Sequence, residues 1–215
     1  MKMKPGFNPE RVARLETDAW RAYYDRRWLR MARVLVAAHR EQFGMRRPGA
    51  LLATLASSRA AIAFAPLDRS DPDKSRRLLV PYYRRVRGAL GCAASPEMLA
   101  EREIDYWVVH RRLALQRQAN PAASAPDSLD DMGPLVVSFA RLHAALFDST
   151  PEAMRPSAEQ RALAAKAVDR LSGGYSDDIP ADWRRVETYL TATYQAIAAA
   201  AGLGGASVPP LEIAT

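Results

Sequence analysis

Two glutamates in this 215-residue chain are each followed four positions later by a tryptophan: Glu16 with Trp20, and Glu103 with Trp107. Steps of three and four trace Val12, Glu16, Trp20, Tyr23, Arg27, Met31, Val34 and Ala38 along one helical stripe, and Leu99, Glu103, Trp107, His110 and Ala114 along another. Each glutamate thus interrupts an apolar row. A carboxylate so placed needs a partner, because an unpaired buried charge costs several kcal/mol or titrates away. Asp18 and Asp105 follow two positions later, about 200° round the helix, so they do not complete an acid/base pair with the glutamates.

The expected partner is Arg59. Between Ala50 and Leu67 it is the one charged residue in a run of small apolar side chains, and a buried arginine seeks a carboxylate it can grip with both arms. The sequence therefore leads us to expect a buried Arg59 clamp on Glu16 or Glu103 that fixes helix register. A functional version has Glu16, Trp20, Tyr23, Arg59, Glu103, Trp107 and His110 around a cavity that takes a small polar or anionic ligand. The same run touches the lower length limit for a membrane span. Its central arginine and its alanine and serine content favour a buried helix instead.

Metal chemistry has few candidates: Glu16, Glu103, His39, His110 and His143. Carboxylate-bridged di-metal bundles need Glu-x-x-His on two helices, and the chain contains neither that motif nor His-Glu-x-x-His. Glu16 and His39 would be about 34 Å apart on one continuous helix, so a metal site needs a cross-repeat pairing such as Glu16 with His143 or Glu103 with His39. Cys92 has no histidine near it in sequence, Ser57 and Ser58 form no nucleophile elbow, and no glycine-rich phosphate loop is present, so no cofactor is indicated.

The elements that must position these residues are helical. Asn8-Pro9-Glu10 and Ser95-Pro96-Glu97 are matching helix starts, with a capping side chain, a proline at the first helical position and an acid for the dipole. Periodicity predicts helices over about 8–43, 50–65, 73–90 (with Pro81 a candidate kink), 95–118, 134–147, 157–171 and 181–201, and a loop over 119–133. Residues 1–7 and 202–215 read as tails, the latter flexible.

The chain is also written twice. Shifted by 87, Pro9, Glu10, Ala13, Glu16, Asp18 and Trp20 fall on Pro96, Glu97, Ala100, Glu103, Asp105 and Trp107. His39 and Phe43 match His143 and Phe147 at a shift of 104, and Arg59-Ala60 matches Arg161-Ala162 at 102. The fold expected is an all-α bundle of about seven helices: two tandem copies of a three-helix unit, 8–94 and 95–201, packed about a pseudo-twofold axis on one shared core.

Composition sets outer limits. Hydrophobic residues make up 48% and charged residues 26%, an ordinary globular mixture. The net charge of +7 comes from 31 basic residues, only four of them lysine. That arginine and alanine bias is what a GC-rich genome writes into any protein, so it argues weakly for nucleic acid. Arg26, Arg30 and Arg33, and the cluster Arg76, Arg77, Arg84, Arg85 and Arg87, read as solvated faces. A single cysteine excludes an intramolecular disulfide, and no apolar leader follows Met1. The expectation is a cytoplasmic, non-catalytic binding or interaction module with a central aromatic and carboxylate cavity, forming homo-oligomers or meeting a protein partner. A small ligand is admitted, and neither nucleic acid nor membrane is favoured. The competing class is a metal-dependent enzyme with a cross-repeat Glu/His site, and a DNA-associated protein comes third.

Overall fold

A computed structural model describes residues 7–120, 125 and 127–203. Within them the chain forms eight helices: α1 (Pro9–Tyr24), α2 (Trp28–Phe43), α3 (Arg47–Phe64), α4 (Pro72–Leu90), α5 (Pro96–Ala119), α6 (Gly133–Phe147), α7 (Arg155–Ser172) and α8 (Ile179–Ala200). No strand occurs among the described residues. The two start signals work as their residue types require. Asn8 Oδ1 accepts from the Arg11 amide at 2.7 Å and Ser95 Oγ from the Met98 amide at 3.1 Å, each satisfying an orphan donor of the first turn. Gly44 and Gly91 end α2 and α4 with φ of 65° and 69°, a conformation that costs glycine little.

The helix count corrects the sequence reading. The expected helix over 8–43 breaks at Asp25–Arg27, where Arg26 takes a left-handed conformation (φ 57°) and the Arg27 amide bonds back to the Ala22 carbonyl at 2.8 Å. No glycine or proline marks this break. The turn lets α1 and α2 pack on each other, and that tertiary gain outweighs local helix preference. Eight helices, not seven, result. The expected tails lie almost wholly outside the described residues.

Each helix packs against the next in the chain, and α8 packs back on α1, so the helices form a closed circuit. One hydrophobic cluster draws on all eight, from Val12 and Ala13 through Phe43, Ala53, Leu79, Leu99, Leu142 and Ala164 to Leu190. A second cluster joins Leu113 of α5 and Met132, ahead of α6, to Leu135 and Phe139 of α6 and Ala158 and Ala162 of α7. This second cluster leaves α6 and α7 well covered. The expected buried helix α3 is buried on one side only: Ala50, Ala53, Thr54, Ala60 and Phe64 face the core, whereas Leu51, Leu52, Leu55 and Ile62 are exposed. No helix among the described residues is long and apolar enough to cross a membrane. Arg26, Arg30, Arg33, Arg76, Arg77, Arg84 and Arg87 are exposed.

Candidate functional site

A cavity of about 430 Å³ lies inside the circuit and is lined by side chains from every helix. Its walls are apolar and rich in aromatic rings, with Trp20, Tyr82, Trp107 and Phe139 among them. Tyr23, Trp28 and Ile62 also line it and are 45%, 54% and 71% exposed, which places its opening between the α1–α2 turn and the C-terminal part of α3. Two carboxylates face this space, Glu16 from α1 and Glu103 from α5.

Glu16 is gripped by α7. Arg161 Nη1 donates to Oε2 at 2.6 Å and Nη2 to Oε1 at 2.5 Å, while the Tyr194 hydroxyl of α8 donates to Oε2 at 2.5 Å. The Arg161 guanidinium lies 5.5 Å from the Trp20 ring centre and 5.8 Å from that of Phe139. Burial works against its charge, but Glu16 beside it holds the guanidinium protonated well above the ordinary arginine range.

Glu103 is held differently. The Tyr83 hydroxyl of α4 donates to Oε2 at 2.5 Å, and the Tyr106 hydroxyl and Trp107 indole N–H donate to Oε1 at 3.0 and 3.1 Å. All three donors are neutral, and no cationic side chain among the described residues forms an ion pair with it. Burial pushes its carboxyl above the usual glutamate range against the lowering pull of these hydrogen bonds and of the Arg161 charge. Burial and the adjacent Glu103 carboxylate raise the Tyr83 and Tyr106 hydroxyls well above the ordinary tyrosine value, so both remain donors.

Two buried histidines complete the lining. His39 Nδ1 lies 3.0 Å from Thr54 Oγ1, and His143 Nδ1 lies 2.8 Å from Ser157 Oγ. The Ser157 hydroxyl donates its proton to the Met154 carbonyl at 2.7 Å, so His143 Nδ1 is the donor to Ser157 and Nε2 is left as the acceptor of the neutral ring. Burial lowers the two imidazoles to about 4 for His39 and about 3 for His143. Each histidine ring also stacks on a phenylalanine, Phe43 and Phe139 respectively, at 6.0 Å.

No family model matches the chain. No curated protein and no solved structure matches it.

Of the residues singled out in the sequence, Glu16, Trp20, Tyr23, His39, Glu103, Trp107 and His143 line this one cavity. Arg59 does not. It is exposed and pairs with neither glutamate, so the expected Arg59 clamp is replaced by Arg161 on Glu16. The physical reason lies in helix phase: α3 turns Arg59 outward and presents Ser58 and Ala61 to the cavity. The Arg161-Ala162 match was the available signal, and it pointed to two arginines of which only one turns inward.

His110 also sits elsewhere, in a second polar cluster. Its Nε2 lies 3.0 Å from Asp169 Oδ1, and Asp169 Oδ2 takes a short hydrogen bond from Arg117. Arg117 donates in addition to Asp131 Oδ2 at 3.0 Å, and the Lys166 ammonium donates to Asp131 Oδ1 at 2.9 Å and to the Ser128 carbonyl at 2.8 Å. This network pins the segment before α6 onto α5 and α7. Asp18 and Asp105 lie near surface arginines, Arg30 at 3.9 Å and Arg102 at 3.6 Å. No group of three or more His, Cys, Asp or Glu side chains among the described residues is placed to hold a metal ion. Tyr83, Tyr106, Tyr194, Thr54 and Ser157 went unnoticed in the sequence, because a tyrosine or serine on a helix reveals its partner only when the helices are assembled.

Proposed function

We propose that this protein is a non-catalytic binding module whose central cavity receives a small, largely apolar molecule with one polar group directed at Glu103. The observation that carries the reading is the cavity itself. At about 430 Å³ it falls in the range of small-molecule sites, roughly 300–1,000 Å³, and far exceeds the packing voids of an ordinary core. A few polar groups converge on aromatic walls, which is the usual composition of such a site.

The same reading takes the chain as two tandem units, 8–94 and 95–201, related by a pseudo-twofold axis, each now counted as four helices rather than three. Paired contacts support it. Glu16 meets Tyr194 as Glu103 meets Tyr83, and His39 meets Thr54 as His143 meets Ser157. The exposed apolar stripe Leu51, Leu55 and Ile62 on α3 supports self-association. We place the protein in the cytoplasm on the strength of its cysteine usage.

The test is a native mass spectrum of gently purified protein, followed by thermal melts across a panel of small aromatic molecules. A stoichiometric adduct, or a ligand-dependent rise in midpoint that Trp107→Ala removes, supports the reading. A bare mass together with unchanged midpoints across the panel overturns it.

A further inference from the structure

The two glutamate sites differ in one element. Arg161 stands four residues, one helical turn, after Ser157, whose hydroxyl receives His143. In the other half Thr54 meets His39, and the residue four positions on is Ser58. Ser58 lines the cavity as Arg161 does. Where α7 sends a guanidinium into the cavity on Glu16, α3, whose matching Arg59 faces solvent, contributes the short Ser58 side chain to the same cavity that Glu103 lines. A serine there fills less of the cavity than an arginine would.

Glu103 retains capacity to use that space. A carboxylate offers about four lone-pair sites; Oε1 accepts two hydrogen bonds and Oε2 accepts one, from Tyr83. The surrounding rings, Tyr82, Tyr83, Tyr106 and Trp107, are of the kind that stabilises an organic cation. The charges facing the cavity are Glu16, Glu103 and Arg161, with both histidines held neutral, so it carries one uncompensated negative charge when Glu103 is ionised.

We propose that the ligand of this cavity is an organic ammonium ion with an apolar body, its N–H donating to Glu103 Oε2 in the place that Arg161 occupies beside Glu16. The proposal rests on the cavity being a ligand site and on the two halves being copies. Ser58 supplies the room, Glu103 the charge, and the aromatic walls hold the body. A neutral molecule of the same shape gains only the apolar contacts, and an anion meets a carboxylate.

The experiment is calorimetric titration of the full chain with three probes of one shape: 2-phenylethylammonium, 2-phenylethanol and phenylacetate. We expect the ammonium to bind at least about tenfold more tightly than the alcohol, the worth of one charge-assisted hydrogen bond. Glu103→Gln keeps an acceptor oxygen and the shape, and should erase that preference. Ser58→Arg places a tethered cation in the gap. It should abolish ammonium binding and raise the thermal midpoint, and the rise should vanish in the Glu103→Gln background. Equal binding of ammonium and alcohol, insensitive to Glu103→Gln, overturns the cation site while leaving the cavity a ligand site. Failure of every probe to bind, with no Glu103-dependent rise on Ser58→Arg, overturns it as well. If Ser58→Arg does not fold, the comparison of wild type with Glu103→Gln decides alone.

Discussion

Glu16 and Arg161, 145 residues apart in the chain, meet through two hydrogen bonds of 2.5–2.6 Å that tie α1 to α7 across the cavity. Both side chains are mostly buried, 14% and 16% exposed. Removing one partner strands the other charge in a low-dielectric setting. Arg161→Met should therefore destabilise the fold by about 3–5 kcal/mol, and pairing it with Glu16→Gln should recover part of that loss. Arg59→Ala, at an exposed position, should change stability by less than about 0.5 kcal/mol. Urea unfolding of the four proteins checks this; a large loss on Arg59→Ala with a small one on Arg161→Met would reverse the assignment.

Acid should weaken the fold through His39 and His143. Burial lowers both imidazoles from 6.5, to about 4 and about 3. The unfolded chain then binds protons that the folded one refuses, so stability is full above pH 6.5 and falls as pH drops toward the folded values. Between pH 7 and 5 each histidine should cost about 2 kcal/mol. Glu103, raised by burial, acts in the opposite direction and gains stability as it protonates. The measurement is the urea midpoint at pH 7 and 5 in the Glu103→Gln background. There His143→Gln should flatten the slope, and a slope unchanged by that substitution would refute the argument.

Lys166, only 2% exposed, holds the segment ahead of α6 through Asp131 and the Ser128 carbonyl. Lys166→Met keeps the apolar stem but drops the ammonium. We expect a loss of about 1–3 kcal/mol and faster protease cleavage between α5 and α6, read by mass spectrometry of the fragments. Unaltered cleavage would mean that Arg117 and Asp131 suffice to hold the segment.

The exposed face of α3 is the apolar surface whose covering would account for self-association. Ile62→Glu and Leu55→Glu, at 71% and 55% exposure, should leave the thermal midpoint within a degree or two and shift sedimentation toward the monomer. A wild-type protein that sediments as a monomer at all concentrations would end the oligomer reading.

Much of the framework was legible in order. The caps at Asn8 and Ser95, the glycine stops at Gly44 and Gly91, and the 3.6-residue period depend on local chemistry, and they place helix starts and stops close to where they occur. The break at Asp25–Arg27 was hidden because no local residue demands it; the packing of α1 on α2 does. Likewise the sequence marked Glu16, Glu103, Trp20 and Trp107 as polar and aromatic positions on apolar stripes, since that follows from spacing along one helix. Which arginine would answer them depends on the phase of α3 and α7 relative to a cavity that exists only after eight helices close on one another. A turn of about 100° per residue separates Arg59, which faces solvent, from Ser58, which lines the cavity. The sequence determined that buried carboxylates need partners; the assembled circuit decided that Glu16 has an arginine and Glu103 has three neutral donors and open space.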